Sequence, residues 1–123
     1  MMHFFCPCCW KEIKESDNFC PFCKYELITY SSLSYEEKLI FALKHPVKEI
    51  RRTIVFLIGM KKLTKGIKEL ERMLFQEEDP IISLEIIKAL ENIGTKEAIK
   101  VIRKGKTHRN RLISKFCEQR EFL

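Results

Sequence analysis

The sequence predicts a mainly α-helical fold, in which a short α-solenoid of helix pairs follows a small β-hairpin. Three observations support this fold class. Five of the six cysteines lie in the stretch from Phe4 to Leu27. From Leu33 onward, apolar residues recur at helical spacing, and the breaks between them carry proline or glycine. The helical part also resembles itself at an offset of about 35 residues, which is typical of stacked helix pairs.

The chain is long enough for a small module and one compact domain. Its 123 residues are 46% hydrophobic and 33% charged, which is a globular composition. We expect a first module over residues 1–30 and a helical domain over residues 31–123, joined through a Tyr-Ser-Ser segment at residues 30–32. No apolar run approaches the roughly 18 residues of a membrane span, and the N-terminus does not read as a signal peptide, so we expect a cytoplasmic protein.

The cysteine spacing predicts a metal site. Cys6 and Cys9 form one CxxC pair, and Cys20 and Cys23 form a second pair ten residues later. Two such pairs are a common way to place four thiolates around one tetrahedral Zn²⁺, whereas disulfides are rare in the cytoplasm. Cys8 is left over inside the first pair. A segment of about 30 residues buries too little surface to fold unaided, so we expect a structural zinc ion. Iron held by the same four thiolates is the alternative.

The stretches FCPCCW and NFCPFCK, at residues 5–10 and 18–24, resemble the short N-terminal zinc ribbons of bacterial and archaeal proteins. That resemblance implies a structural metal site with no open coordination position. Those ribbons carry glycine after each second cysteine, where this sequence has Trp10 and Lys24. The two positions favour a left-handed backbone. We expect Trp10 to pack on the small core of its own module, and an exposed contact residue is the alternative.

The helical part divides into six predicted helices. The spacing predicts them at about 35–44, 47–58, 61–75, 81–93, 95–104 and 108–121. Pro46 and Pro80 suit the first turn of a helix, where no backbone donor is needed. Gly59 and Gly94 are expected to end their helices in a left-handed conformation.

The repeated pattern of a proline, a following valine or isoleucine, apolar positions at helical spacing and a glycine resembles HEAT-like repeats over residues 34–123. This resemblance implies two full helix pairs flanked by half pairs, with the second helix of each pair on the concave surface. A non-repeating helical bundle is the alternative.

Positive charge is concentrated at the end of the chain. Residues 96–123 hold nine basic and three acidic residues, which equals the whole formal net charge of +6. In the second predicted helix of each pair, basic residues recur on the face opposite the apolar stripe, and a basic segment follows. The candidate partner-binding residues are Lys61, Lys65, Lys68, Arg72, Lys96, Lys100, Arg103, Lys104, Lys106, Arg109 and Arg111. An ordinary solvated helix face is the competing interpretation.

The sequence favours a non-catalytic adaptor that binds a macromolecular partner, foremost a protein with an acidic surface. Nucleic-acid binding through the basic residues is the alternative, although the stripe lacks aromatic residues for base stacking. We find no catalytic constellation and no evident small-molecule or membrane partner. Cys117 is expected in the helical core, and His108 is expected to add charge to the basic segment at low pH.

Overall fold

The computed structural model describes residues 4–120 and confirms the mainly helical fold class. The chain begins with a two-stranded antiparallel sheet, in which Phe4 pairs with Ile13 and Phe5 with Glu12. Its strands are β1 (Phe4–Phe5) and β2 (Glu12–Ile13). The α-helices of the described residues are α1 (Leu27–Ser31), α2 (Tyr35–Phe41), α3 (Lys48–Met60), α4 (Ile67–Gln76), α5 (Pro80–Ile93), α6 (Lys96–Lys104) and α7 (Arg111–Glu118). Short 3₁₀ turns occupy Ala42–Lys44, Thr64–Gly66 and Gly105–Thr107. We call residues 4–26 the cysteine hairpin and the helices α2 to α7 the solenoid.

Polar side chains fix where most solenoid helices begin. Ser34 and Glu37 form a capping box at α2, in which the Glu37 N–H donates to Ser34 Oγ at 3.2 Å. Asp79 accepts from the Ile81 N–H at 2.9 Å and places Pro80 at the first position of α5, as predicted. Thr95 and Asn110 cap α6 and α7 in the same manner. Helix starts are therefore encoded by local hydrogen bonding.

The two predicted helix-ending glycines have different roles. Gly94 ends α5 with φ at 68°, as predicted. Gly59 lies inside α3, so the prediction for that residue is wrong. Lys62 takes the left-handed conformation instead, with φ at 53°, and the Leu63 N–H closes the turn by donating to Ile58 O at 3.1 Å.

This difference changes the register of the repeat. The first helices of successive pairs begin at residues 48, 80 and 111, so they are 32 and 31 residues apart. The offset of about 35 came from aligning Gly59 with Gly94, which are not equivalent in the structure. Pro46 likewise precedes α3, whose N-cap is Val47, and does not occupy its first turn.

Two other segments differ from their predictions. The helix predicted over 61–75 is a turn, the 3₁₀ segment Thr64–Gly66, and then α4, because the reversal at Lys62 delays the helix start. Residues 30–32 were expected to be a connecting segment, but Leu27–Ser31 forms α1. The Ser31 hydroxyl donates to Ile28 O at 2.7 Å and helps to close this short helix. The predicted helix over 108–121 begins later, at Arg111, and residue 121 lies outside the described residues.

The solenoid core is centred on α5, which packs against α3, α4, α6 and α7. Fully buried apolar side chains come from every pair, and the buried set includes Val55, Ile58, Leu70, Leu74, Ile86, Ile87, Leu90, Ile102 and Ile113. Cys117 is also fully buried, as predicted, and desolvation raises the pKa of its thiol to about 11. Within the described residues, each helix is too short or too polar to cross a membrane.

Candidate metal centre and basic surface

The two CxxC turns share one backbone arrangement. In the first turn, the Cys6 N–H donates to Lys11 O at 3.0 Å, and the Trp10 N–H donates to Cys6 O at 2.7 Å. The second turn repeats both bonds around Cys20, at 3.0 and 2.9 Å. Each turn therefore holds its first cysteine by two backbone hydrogen bonds and directs the thiol pair toward the other turn.

The four predicted ligands meet at one point. The sulfur atoms of Cys6, Cys9, Cys20 and Cys23 all lie within 4.8 Å of one another. The Cys6–Cys23 and Cys9–Cys20 sulfur distances are both 3.6 Å. A tetrahedral site with metal–sulfur bonds of about 2.3 Å has sulfur–sulfur edges of about 3.8 Å. The four thiols are therefore spaced to hold a metal ion. Cys8 lies outside this group, as predicted.

Backbone N–H groups point at the buried sulfur atoms. The Cys8 N–H donates to Cys6 Sγ at 3.4 Å. The Phe22 and Cys23 N–H groups donate to Cys20 Sγ at 3.4 and 3.5 Å. Such donors favour the thiolate form, which is the form that binds a metal ion.

The thiol pKa values diverge because four sulfur atoms share one small site. At Cys20, desolvation raises the pKa, but the N–H bonds from Cys23 and Phe22 outweigh it and lower the pKa to about 6. At Cys23, a backbone hydrogen bond from Tyr25 lowers the pKa, but desolvation and the neighbouring thiol of Cys6 outweigh it and raise the pKa to about 12. Like charges this close cannot all form without a cation, so full ionisation of the cluster requires a bound metal.

The residues after the second cysteine of each turn have the left-handed backbone that the sequence predicted. The φ angles are 62° for Trp10 and 68° for Lys24. A residue with a Cβ adopts this conformation at a cost of roughly 1–2 kcal/mol. The cysteine hairpin therefore carries backbone strain at two equivalent positions, one in each turn.

Trp10 contacts the solenoid, and its packing on the hairpin's own small core stays a prediction. Its ring lies against the His45 ring, with centroids 4.3 Å apart and planes tilted by 53°. His45 belongs to the segment between the 3₁₀ turn Ala42–Lys44 and α3. Trp10 thus joins the cysteine hairpin to the solenoid.

Sequence reasoning also missed three aromatic residues that pack where the N-terminal segment meets the solenoid. Phe41, at the end of α2, lies 5.2 Å from the Tyr25 ring and 5.6 Å from the Tyr30 ring, measured between centroids. Aromatic residues flanking a cysteine pair are the only sequence signal for this contact. The signal does not indicate which helix the rings meet.

The basic candidates all point into solvent. The exposed side chains are those of Lys61, Lys65, Lys68, Arg72, Lys96, Lys100, Arg103, Lys104, Lys106, Arg109 and Arg111. They do not form the two matched helix stripes that the sequence predicted, because α4 begins only at Ile67. Whether they bind a partner stays a prediction.

The basic residues around α4 are partly neutralised. Arg72 donates to Glu69 at 2.8 Å and to Gln76 at 2.9 Å. Lys104, from α6, reaches across to Glu71 at 2.9 Å. Lys61 precedes α4 and lies over the Tyr35 ring at 5.4 Å.

A different group keeps its charge uncompensated. We call it the basic surface, and it consists of Lys96, Lys100, Arg103, Lys106, Arg109 and Arg111. Within residues 4–120, none of these side chains forms an ion pair with a carboxylate. They follow one another along α6, the next 3₁₀ turn and the start of α7. These six side chains place unpaired positive charge at the end of the solenoid that contains α7, and Lys65 and Lys68 near α4 also lack an ion pair within the same residues.

His108 is a structural residue, not a member of the basic surface. It is 7% exposed, and its Nε2 lies 2.8 Å from Leu74 O. Its Nδ1 accepts the Asn110 N–H at 2.9 Å, which requires an unprotonated Nδ1 and makes Nε2 the donor to Leu74. The expectation that His108 adds charge at low pH stays a prediction.

Comparison with known proteins gives one match. The family model for HEAT repeats matches residues 36–112, which is more than half of the chain. No curated protein and no solved structure matches the sequence significantly. HEAT repeats stack helix pairs into scaffolds whose extended surfaces are used for binding. The matched segment runs from α2 to the start of α7, and the chain belongs to the HEAT repeat family.

Proposed function

We propose that this chain is a non-catalytic adaptor, in which a zinc ribbon is attached to a HEAT-repeat scaffold that binds a protein with an acidic surface. The observation that carries the proposal is the basic surface, where six exposed cationic side chains lack carboxylate partners in the described residues. Acidic residues elsewhere on the solenoid take part in ion pairs, such as those of Glu71 and Asp79. The charge of the basic surface is therefore available for an external partner.

Zinc is the proposed metal because four cysteine sulfur atoms lie within 4.8 Å of one another, and four cysteines around one ion are typical of closed zinc sites. The ion would be held by Cys6, Cys9, Cys20 and Cys23, and it would stabilise the fold of a hairpin with almost no apolar core. With four protein ligands, the site leaves no position for a substrate. Iron remains the alternative, since four thiolates also suit it.

An acidic protein fits the solenoid better than a nucleic-acid backbone does. Glu97 lies among the lysines of α6, and Glu69 and Glu71 lie on α4. Carboxylates interleaved with basic residues repel a uniformly negative phosphate backbone but match a mixed protein surface. The α6 sequence contains no aromatic residue on which a base could stack. Nucleic acid is the second candidate, since phosphate contacts need only free cations.

The test compares charge reversals on and off the basic surface. Lys100→Glu with Arg103→Glu is the test variant, and Lys14→Glu with Lys88→Glu is a control with the same change in net charge at exposed sites elsewhere. The probes are a labelled acidic peptide, in which glutamates outnumber interspersed lysines, and a labelled DNA duplex, both titrated by fluorescence anisotropy at about 50 and 200 mM salt.

Three outcomes are distinguishable. Saturable binding of the acidic peptide that the test variant loses and the control keeps supports the proposal. Tighter duplex binding, with a log–log salt slope near −0.9 for each phosphate contacted, transfers the function to nucleic acid. If neither probe binds at either salt concentration, or if both variants weaken binding equally, the basic surface is an ordinary solvated face and the proposal fails.

A further inference from the structure

The contact between Trp10 and His45 joins the metal centre to the start of α3. Trp10 directly follows the ligand Cys9, and its backbone is held by the bond to Cys6 O at 2.7 Å. Among the described residues, its buried indole nitrogen has no hydrogen-bond partner. The ring is therefore held by packing, and the His45 ring is one of its contacts. The position of this ring therefore depends on the geometry of the first cysteine turn.

His45 is fixed just as firmly from the solenoid side. Its Nδ1 accepts the N–H of Val47, the N-cap residue of α3, at 3.0 Å. Its carbonyl oxygen accepts from Arg51 Nη1 at 3.1 Å. The His45 ring thus satisfies a backbone group at the helix start while presenting a face to Trp10.

The second cysteine turn makes a parallel contact. Tyr25 accepts the Cys20 N–H through its carbonyl oxygen at 3.0 Å, and its ring meets Phe41 at 5.2 Å. Burial at this contact raises the pKa of the Tyr25 hydroxyl. Each cysteine turn therefore holds one aromatic residue that touches the solenoid, at α3 for the first turn and at α2 for the second.

We propose that metal binding docks the cysteine hairpin onto the first helices of the solenoid, so that the metal site and the start of α3 are thermodynamically coupled. The inference rests on the metal site of the proposed function. A metal ion bound by Cys6 and Cys9 would fix the turn that holds Trp10 at a φ of 62°, which a non-glycine residue disfavours. Relaxation of that turn removes the ring from His45. By linkage, a change that weakens the docked contact must also weaken metal binding, at most by the same factor.

The size of the coupling follows from the contact. A well-packed aromatic pair changes an equilibrium about 2- to 10-fold beyond simple burial. We therefore expect His45→Ala to weaken metal affinity about 2- to 10-fold, although His45 touches no thiol. A structural histidine without a hairpin contact should have no such effect.

The chain provides that control. His108 accepts the N–H of the α7 N-cap residue, Asn110, through Nδ1 at 2.9 Å, just as His45 does at α3. Its ring lies beside Phe75 of α4 and not beside the cysteine hairpin. His108→Ala removes an equivalent helix-start acceptor and leaves the hairpin contact intact.

The experiment measures Zn²⁺ affinity of the full chain by competition with a chromogenic chelator. Trp10 is the only tryptophan, so its fluorescence reports the contact directly. We expect chelation of the wild-type protein to shift Trp10 emission to longer wavelength and to speed hydrogen exchange of the Val47 amide. In His45→Ala the emission should already be shifted with zinc bound. His108→Ala should match the wild type in zinc affinity and emission.

The outcomes separate this inference from the proposed function. If zinc does not bind at one ion per chain, the metal part of the proposed function fails. If zinc binds but His45→Ala keeps wild-type affinity and emission, the coupling is refuted and the metal site stands. Should a histidine variant not fold, Phe41→Leu tests the same coupling through Tyr25 and must also weaken zinc binding. Adaptor binding is measured at the basic surface and is independent of these results.

Discussion

Gly59 provides a direct test of how successive helix pairs pack. It is buried in α3 opposite Ala89 of α5, and a Cβ placed on it would lie 2.6 Å from Ala89 Cα and 2.8 Å from Ala89 Cβ. Non-bonded carbon atoms pack at about 3.5–4.0 Å, so Gly59→Ala requires α3 and α5 to separate by about 1 Å. The obstructing atom belongs to the backbone, so no side-chain rotation relieves the clash.

Two opposing effects set the expected magnitude. Overpacking of a tight core costs about 1–3 kcal/mol. Glycine to alanine inside a helix otherwise gains about 1 kcal/mol. The α3–α5 contact is the most extensive between helices of the solenoid, and its opening loosens the surrounding side chains as well. We therefore expect Gly59→Ala to lower the free energy of unfolding by about 1–2 kcal/mol, the upper part of the difference between these two effects.

Urea unfolding followed by far-UV circular dichroism measures this change. Gly94→Ala is the matched control, because φ is 68° there and the nearest heavy atom to a new Cβ is Glu91 O at 3.5 Å. The control should lose about 1 kcal/mol through backbone strain alone. If Gly59→Ala instead raises stability by about 1 kcal/mol, α3 and α5 do not meet as described and the packing argument is wrong.

The remaining predictions concern the core, a helix cap and the metal site. A Cβ on Gly105 would collide with Cys117 Sγ, so Gly105→Ala should destabilise the fold by about 1–3 kcal/mol, and a second change, Cys117→Ala, should recover part of this loss. A double-mutant cycle by urea unfolding measures the coupling, and strictly additive effects would contradict the clash. Hydrogen bonds from Lys48 and from the Ile81 N–H lower the pKa of Asp79, so the contribution of this carboxylate to stability is present at neutral pH and is lost as the pH falls through the lowered pKa. Asp79→Asn should therefore flatten the acid side of a pH–stability profile, and an unchanged profile would contradict a role of Asp79 in acid unfolding. Metal chelation should abolish the protection of the cysteine-hairpin amides from hydrogen exchange, while the α5 amides stay protected. If all amides lose protection, the solenoid is not stable without the metal and this prediction is wrong.

Local chemistry explains which parts of the fold were predictable. The helix starts at Ser34, Asp79 and Thr95 follow from side chains that cap their own backbone, so a sequence pattern is sufficient. The end of α3 was not predictable in this way. Gly59 is required by a neighbouring helix across the core, and Lys62 occupies the left-handed position that a glycine usually takes.

The same distinction applies to the candidate sites. Ligand spacing alone identified the four cysteines, because a CxxC turn determines its own geometry. The basic surface was only partly predictable, since the ion pair between Lys104 and Glu71 joins two helices, whereas the pair between Arg72 and Glu69 lies within α4. The contact of Trp10 was missed for a related reason. Its contact, His45, lies in another module, and no local pattern connects the two residues.

One side-chain hydrogen bond recurs before α3, α5 and α7, and its spacing explains the register of the repeat. The side chains of His45, Glu77 and His108 each lie two residues before an N-cap residue and accept its N–H, at 3.0, 3.3 and 2.9 Å. These acceptors are 32 and 31 residues apart, which matches the spacing of α3, α5 and α7. The residue type varies because any side-chain acceptor can satisfy the orphan N–H. A histidine offers in addition a ring face. At the buried His108, that face lies beside the Phe75 ring within the solenoid. At the first helix pair the same face is left for Trp10, so the position that serves as a simple helix-start acceptor elsewhere becomes the docking point for the cysteine hairpin.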